Sequence, residues 1–480
     1  MRTSTLQYLY LQKPVSTLIF VCLISVCWIA TGDFFVKVGS DDAIAAASIL
    51  ESGDWVLPRI HANEFAYKPP MAQWMMAVAS MPQGYVSEFT TRLPSALAYT
   101  ALMAFLLVFF GRKVRFQEAF IASLLLLTSI GMHCASMSAQ VDMLLTAFIV
   151  VGLIQLFRWE YNLELKGLPL IIPLMLSGAI LTKGLVGIVL PLFIFGVYLL
   201  MLRRYRLRKI IKSLVYIGLA SLFIPSLWYI EAWRQGGNSF LNMTIIENFG
   251  RFFSVYSDSS LCVEKGAWYN PVSLIKGFLP WTILLFFSLF GLKTGKPQTS
   301  VTEGLKKCWN AILSMDKTKL FSLVAIVCIV FFYSIPGNKR SLYLLPAYPF
   351  IALFMSQYII CLTERRSKVT RVFAGTLAVI NLCVISITLL NMTGAVDFNH
   401  IAQSFTANAS ILETVNVITT VLTPTLRNIS LLALLSFAFL TVCYQMKKKI
   451  NIKMLYASIF LVFCTHFFLD GTRILFLINN

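Results

Sequence analysis

The residues best suited to chemistry lie close together between two apolar spans, in the stretch SDDAIAAASILESGDWVLPRIHANEFAYKPPMAQW from Ser40 to Trp74. Asp41 and Asp42 are predicted to open a short helix that ends near Gly53. At a helix start, the unpaired backbone N–H groups and the helix dipole favour ionised carboxylates. Ionised carboxylates next to cationic side chains can carry out acid–base chemistry on an anionic substrate. This stretch is therefore the predicted active centre.

The cations of the same stretch are Arg59 and Lys68. Lys68 is followed by two prolines, which suit the start of a second helix. That helix carries apolar side chains that can contact a lipid tail, namely Met71, Trp74 and Met75. The alternative for the two aspartates is that they only cap a helix, as acidic residues in a first turn often do.

Two further charges fall at the ends of apolar spans. Asp142, in SAQVDMLLTAF, opens a span on the side predicted to be external. A carboxylate at membrane depth is costly and therefore indicates function. Lys183, in LTKGLVG, precedes Gly184 and can close a helix C-terminus.

A third polar group precedes a later span, in the run KRSLYLLPAYP. Lys339 and Arg340 are followed there by Tyr343, at the predicted external mouth of the span. Basic and phenolic side chains at this depth are ordinarily interfacial anchors.

The composition indicates a membrane protein. Of the 480 residues, 58% are hydrophobic and only 13% are charged, and apolar segments long enough to cross a bilayer recur along the chain. We predict an all-α polytopic membrane protein with about thirteen transmembrane helices and short amphipathic helices in the outer loops. The predicted spans are centred near residues 23, 101, 125, 148, 175, 192, 221, 282, 326, 352, 381, 436 and 461.

The net charge of +19 is explained by topology. Of the 40 lysines and arginines, 27 fall in seven segments that the predicted topology assigns to the cytoplasmic side, as the positive-inside rule requires. This distribution predicts a cytoplasmic N-terminus and a periplasmic C-terminus, and it argues against a nucleic-acid partner. The main external segments are predicted at about 31–92, 231–270 and 391–427.

Several of these motifs resemble those of the lipid-linked-sugar glycosyltransferases of the GT-C superfamily, which include the lipid A aminoarabinose transferase and the protein O-mannosyltransferases. The similar runs are ESGDWVLPR, KPP, SEFTTRLPSALA and YLLPAYP. The resemblance implies a GT-C fold whose catalytic module spans residues 1–360. Residues 361–480 are expected to add C-terminal transmembrane helices without a large soluble C-terminal domain.

The residues that match this family receive expected roles. The expected catalytic acids are Asp41, Asp42 and Asp142. The expected phosphate and donor contacts are Lys68, Lys339, Arg340, Tyr343, Lys183 and Arg59. The expected lipid-tail groove comprises Met71, Trp74 and Met75. The second outer loop is expected to contribute Glu247 and Arg251, for which a surface ion pair is the alternative.

The positions at which the family often has metal ligands differ in this chain. Tyr67 stands where a glutamate often precedes the KPP lysine, and Trp268 stands where a histidine often lies in the later loop. The four histidines also show no metal-ligand spacing. We therefore expect no metal or other cofactor.

The resemblance implies an inverting glycosyltransferase in the bacterial inner membrane. Its expected donor is a polyprenyl-phosphate sugar. Its expected acceptor is a hydroxyl or phosphate of lipid A, lipopolysaccharide or another envelope glycan on the periplasmic side, with a protein less favoured. Asp41 would act as general base, with Asp42 or Asp142 orienting the acceptor or tuning the pKa of the base. The alternative is a flippase or transporter for polyprenyl-linked sugars, which should place charges near the bilayer midplane.

Overall fold

The computed structural model describes residues 40–61, 64–66, 68–161, 163, 167–246, 266, 268–290, 301–337, 339–406, 409–448 and 452–471. Within these ranges the regular structure is almost entirely helical, and one two-stranded antiparallel sheet is present. The predicted all-α class is confirmed.

The outer segment before the long helices contains α1 (Ser40–Ser52), β1 (Arg59–His61), β2 (Glu64–Phe65) and α2 (Met71–Ser80). The next helices are α3 (Glu88–Gly111), α4 (Phe116–Leu127), α5 (Ile130–Ser136), α6 (Val141–Trp159), α7 (Ile171–Lys183), α8 (Val186–Leu202), α9 (Leu207–Ile245), α10 (Tyr269–Gly277) and α11 (Trp281–Leu289). The remaining ones are α12 (Val301–Leu313), α13 (Lys317–Phe332), a 3-10 helix (Ser341–Ala347), α14 (Tyr348–Arg365), α15 (Ser367–Met392), α16 (Phe398–Phe405), α17 (Ala409–Val421), α18 (Leu426–Met446) and α19 (Ile452–Gly471).

The described part contains seven helices that are long and apolar enough to cross a membrane, or up to nine spans if each of two bent pairs is counted as one. The pair α4–α5 bends by 64° and the pair α10–α11 by 107°. The predicted count of thirteen is not confirmed, although every predicted centre from residue 101 onward falls within a helix. A hydropathy pattern shows how long an apolar segment is, but not whether its helix is bent. In addition, α7, α8 and α13 were predicted as full spans but have only 13, 17 and 16 residues. The span predicted near residue 23 lies outside the described residues.

Buried apolar side chains from α3 to α11, α13 to α15, α18 and α19 form one continuous core. Within it, α6 packs against α7, α4 against α14, and α18 against α19. The amphipathic run around Leu305–Leu313 predicts a short helix, and the structure contains it as α12, which begins four residues earlier. The short helices of the outer segment pack on this bundle through α2, which contacts α3.

Tyr348, the first residue of α14, ties the bundle together. Its ring stacks on Phe278, with 4.5 Å between the ring centroids. A Cβ atom on either Gly131 of α5 or Gly277 of α10 would overlap the Tyr348 side chain. Both positions therefore require glycine, because α5 and α10 approach the phenol so closely. Tyr348 thus holds both bent pairs against α14.

The run SGDWVLP forms a tight turn after α1. The helix ends at Ser52, and Gly53 adopts φ +72°, a left-handed conformation that favours glycine. The Asp54 carboxylate accepts the backbone N–H groups of Val56 at 3.0 Å and Leu57 at 3.1 Å. The predicted helix end near Gly53 is confirmed, and Asp54 has a local structural role.

Two tryptophan indoles hold this turn in place. Trp74 of α2 donates to the Trp55 carbonyl at 2.6 Å, and Trp228 of α9 donates to the Val56 carbonyl at 2.8 Å. These bonds satisfy backbone groups that have no partner in a regular helix or strand. They therefore fix the outer segment to both α2 and the bundle.

Candidate active site

The first charged cluster joins α1 to α2. The Lys68 ammonium bonds Asp42 Oδ2 at 2.6 Å, and the Gln73 amide Nε2 donates to Asp42 Oδ1 at 3.2 Å. Asp42 is 2% exposed and Gln73 is 1% exposed, whereas 25% of the Lys68 side chain is exposed. A buried carboxylate is stable only when it is paired and hydrogen-bonded, and Asp42 meets both conditions.

Local sequence explains this meeting. Pro70 stands at the N-cap of α2, so that Lys68 lies just before the helix and Gln73 lies in its first turn. The facing surfaces of α1 and α2 carry small residues, including Ala46 and Ala77. Small side chains allow close approach, which brings Asp42 within reach of both partners.

Asp41 lies on a different face of α1 from Asp42. Successive residues of an α-helix point about 100° apart, and Asp41 is half-buried whereas Asp42 is buried. The two acids that were predicted as a pair thus have different environments. Asp42 is the buried carboxylate held by two partners, and Asp41 is the more accessible one.

The second cluster joins α6, α7 and the 3-10 helix. Asp142, in the first turn of α6, forms an ion pair with Lys183, the last residue of α7. The Lys183 ammonium also lies 4.2 Å from the centroid of the Tyr343 ring, which is a cation–π contact. The Tyr343 ring packs against Tyr333, with 5.3 Å between the centroids. Lys183 therefore contacts a carboxylate. Gly184, which follows it, has φ +74° and ends α7.

Apolar contacts connect the two clusters. Met71 and Met75 of α2 pack against an apolar cluster that includes Val141 and Leu144 of α6, on either side of Asp142 in the sequence. The face of α2 that carries these methionines therefore reaches the helix start that carries Asp142.

Trp74 packs apart from the two methionines. Its side chain lies against the α1–α2 contact around Ile49, and its indole is bonded to the loop. Trp74 thus supports the outer segment, a role that was not predicted.

Arg59 lies on β1, outside both clusters. Its guanidinium is 5.5 Å from the centroid of the Phe65 ring, and its backbone N–H donates to Ser48 Oγ at 3.1 Å. Lys339 is 7% exposed and Arg340 is exposed, and both directly precede the 3-10 helix that carries Tyr343. This basic pair therefore stands at the start of the short helix that carries Tyr343.

Four other positions singled out in the sequence are Glu247, Arg251, Tyr67 and Trp268. Glu247, Arg251 and Tyr67 lie outside the described residues. Trp268, at the N-cap of α10, is 79% exposed. Within the described ranges, no group of three or more His, Cys, Asp or Glu side chains is arranged to hold a metal ion.

Two residues of these clusters were not predicted from the sequence. Gln73 is a polar residue in an otherwise apolar helix, and this contrast was the sequence feature that could have identified it. Tyr333 ends α13 and resembles an ordinary interfacial aromatic residue. Both acquire their roles through contacts with residues distant in sequence.

Comparisons with known proteins agree with the geometry. The family described as dolichyl-phosphate-mannose-protein mannosyltransferase matches residues 67–229. An uncharacterized protein of Aquifex aeolicus is 25% identical over 390 residues, which are 79% of this chain and 70% of that protein. The undecaprenyl phosphate-alpha-4-amino-4-deoxy-L-arabinose arabinosyl transferase of Aeromonas hydrophila is 24% identical over 357 residues. That match covers 72% of this chain and 61% of the transferase.

The same fold occurs in a solved structure. ArnT from Cupriavidus metallidurans, crystallised with undecaprenyl phosphate, matches with a TM-score of 0.67 and 19% identity. The match covers 95% of this chain and 76% of ArnT. The fold predicted from the sequence resemblance is therefore confirmed.

The ion pair between Asp142 and Lys183 gives a stability prediction. We expect Asp142→Asn to lower the free energy of unfolding by about 1 to 3 kcal/mol, because it leaves a largely buried ammonium without its anion. The double variant Asp142→Asn/Lys183→Met should recover most of that loss. Denaturant or thermal unfolding in detergent measures both effects.

Glu231→Gln provides the matched control. Glu231 pairs with Arg234 at 3.4 Å on α9, and both side chains are well exposed. Surface pairs contribute about 0 to 1 kcal/mol, so this change should be nearly silent. Equal losses in Asp142→Asn and Glu231→Gln, or no recovery in the double variant, would contradict the proposed role of the buried pair.

Proposed function

We propose that this chain, a GT-C-fold protein related to the lipid-linked-sugar glycosyltransferases, is an inverting membrane glycosyltransferase with a polyprenyl-phosphate sugar as donor. The acceptor is a hydroxyl or phosphate of lipid A, lipopolysaccharide or another envelope glycan on the periplasmic side of the inner membrane. The acceptor class is suggested by the arabinosyl transferase relatives, which the chain matches over about 61% of their length.

The observation that carries the proposal is the pair of acid–lysine clusters linked by α2. Asp42 pairs with Lys68, just before α2, and Asp142 pairs with Lys183. The methionines of α2 pack against an apolar cluster that includes Val141 and Leu144, the sequence neighbours of Asp142. A lipid-phosphate substrate needs cations for its phosphate, an apolar surface for its tail and a base for the acceptor. These clusters supply all three types of group.

Asp41 is the base in this mechanism. Asp41 is half-buried whereas Asp42 is buried, so Asp41 is the carboxylate of the two that an acceptor can reach. The acceptor oxygen attacks the anomeric carbon as the bond from that carbon to the phosphate oxygen breaks. The acceptor proton passes to Asp41, and polyprenyl phosphate leaves with the bonding electron pair. Attack opposite the phosphate inverts the anomeric configuration.

The phosphate is stabilised by lysines and a phenol. Negative charge on the leaving phosphate grows in the transition state, so cations that are already positioned lower the barrier. Lys68 and Lys183 are each held by a carboxylate, and Tyr343 stacks on Lys183. An ammonium has three N–H groups, so contact with one carboxylate does not exhaust its donor capacity. Lys339 and Arg340 add positive charge at the start of the same 3-10 helix.

The polyprenyl tail follows the apolar face next to the phosphate. Met71 and Met75 are half-buried on this face of α2. Methionine is flexible and polarizable, so it can adapt to an irregular hydrocarbon chain. This placement brings the tail and its phosphate to the same helix.

The charges of both clusters lie at helix ends. Asp42 and Asp142 are in the first turns of α1 and α6, and Lys183 is the last residue of α7. A flippase is expected to carry charges near mid-span, where the headgroup must cross. The distribution observed here supports chemistry at one face of the membrane.

Lys68→Ala tests the phosphate role. We expect a loss of about 2 to 4 kcal/mol in transition-state stabilisation, or about 30- to 1000-fold in kcat/KM. The thermal midpoint should also fall, because the buried Asp42 loses its ion partner. The measurement is sugar transfer from a defined polyprenyl-phosphate donor by purified protein in detergent, well below the melting temperature of each variant.

Lys276→Ala, which removes an exposed lysine of α10, is the control and should leave the rate unchanged. Tyr343→Phe is measured alongside to test the second cluster. Normal turnover by both Lys68→Ala and Tyr343→Phe would mean that the phosphate binds elsewhere.

We propose further that the reaction needs no metal or other cofactor. This rests on the replacement of two family ligand positions by Tyr67 and Trp268. Transfer by the wild type should be equal with and without EDTA. Activity that EDTA abolishes and that zinc or magnesium restores would refute this expectation.

A further inference from the structure

Gln73 is a buried polar residue whose contact with Asp42 has no role in the mechanism above. Its amide Nε2 is 3.2 Å from Asp42 Oδ1, and both side chains are essentially excluded from solvent. A carboxylate only accepts hydrogen bonds when ionised, so the amide nitrogen must face Asp42. This fixes the orientation of the amide.

The same orientation has a cost. Gln73 Oε1 is buried and finds no hydrogen-bond partner among the residues that the structure describes. A buried carbonyl without a partner is unfavourable, and an apolar side chain of similar size would avoid the cost. The contact with Asp42 therefore has to account for a glutamine at this position.

We propose that Gln73 is a positioning residue, which holds Asp42 so that Lys68 is presented to the donor phosphate. Lys68 bonds Oδ2 of Asp42, while Gln73 occupies Oδ1. Without Gln73, the carboxylate is free to rotate and to face the ammonium with both oxygens. The ammonium would then be drawn towards Asp42, and fewer of its N–H groups would face the phosphate. This inference rests on the proposed glycosyltransferase function.

The first test replaces Gln73 with Met. The change keeps the approximate size and removes both the amide donor and the unpaired carbonyl. We expect kcat/KM for the polyprenyl-phosphate sugar to fall about 10- to 100-fold, as when a hydrogen bond to a charged group is lost. The KM for the acceptor should stay the same. Unchanged donor kinetics in a folded Gln73→Met protein would overturn the proposal.

The second test uses Gln73→Glu and pH. In this variant, the introduced carboxylate repels Asp42 when it is ionised, whereas its protonated form donates an O–H to Asp42 as the amide does. Adjacent carboxylates readily share one proton. The activity of Gln73→Glu relative to wild type should therefore rise as the pH is lowered. A merely structural role would give a ratio that does not depend on pH, and that result would overturn the proposal.

A matched control comes from the same outer segment. Gln83 donates to the Tyr85 carbonyl at 2.7 Å and to Ser87 Oγ at 2.8 Å, and it is exposed. Gln83→Met should leave the donor kinetics unchanged. An equal loss in Gln83→Met and Gln73→Met would contradict a specific role for Gln73.

A double-variant cycle separates this inference from the proposed function. If Gln73 acts through Asp42, the melting temperatures of Asp42→Asn, Gln73→Met and the double variant will be non-additive. Additive shifts would refute the coupling. Failure of the wild type to transfer sugar would instead refute the proposed function, and the cycle would still test whether Gln73 holds Asp42.

Discussion

The ion pair between Asp42 and Lys68 is the interaction on which the outer segment depends. A carboxylate removed from water must be paired and hydrogen-bonded, or it shifts to its neutral form. Asp42 is almost fully buried and receives both a lysine and an amide. These requirements fix the approach of α1 to α2, and α2 in turn presents its methionines to α6. The same principle recurs where Asp142 meets Lys183.

Rigid packing keeps the two clusters in register. The turn after α1 is bonded to indoles from α2 and α9, and the phenol of Tyr348 fits between Gly131 and Gly277. In the proposed reaction these charged groups bind a phosphate and a sugar, and such support favours it because catalysis by electrostatic preorganisation requires fixed geometry. Gly131 and Gly277 lie in the bent pairs α4–α5 and α10–α11, so both pairs contact Tyr348.

The sequence predicted the helical class, the centres of the apolar helices from residue 101 onward, and the charged residues and Tyr343 of the two clusters. It did so because apolar length and charge placement are local properties. It could not predict the pairing, since Lys68 and Asp42 are separated by 26 residues and Lys183 and Asp142 by 41. Hydropathy also cannot report bends, which explains the difference in the number of spans.

Gln73 and Trp74 illustrate the same limit at the level of single residues. In sequence both belong to a helix expected to face lipid, and only tertiary contacts separate them. Gln73 bonds Asp42, Trp74 bonds the carbonyl of Trp55, and their neighbours Met71 and Met75 pack on α6. One helix thus serves the charged cluster, the loop and the apolar surface, because successive residues point in different directions.

Asp41→Asn tests most directly whether this chain transfers a sugar with Asp41 as the base. Two quantities are measured on the same purified variant: sugar transfer and the Kd for undecaprenyl phosphate. A general base typically contributes about 100- to 10,000-fold, so transfer should fall by at least about 100-fold while the Kd changes little. Transfer at the wild-type rate would contradict the account, and so would a loss of lipid binding as large as the loss of transfer.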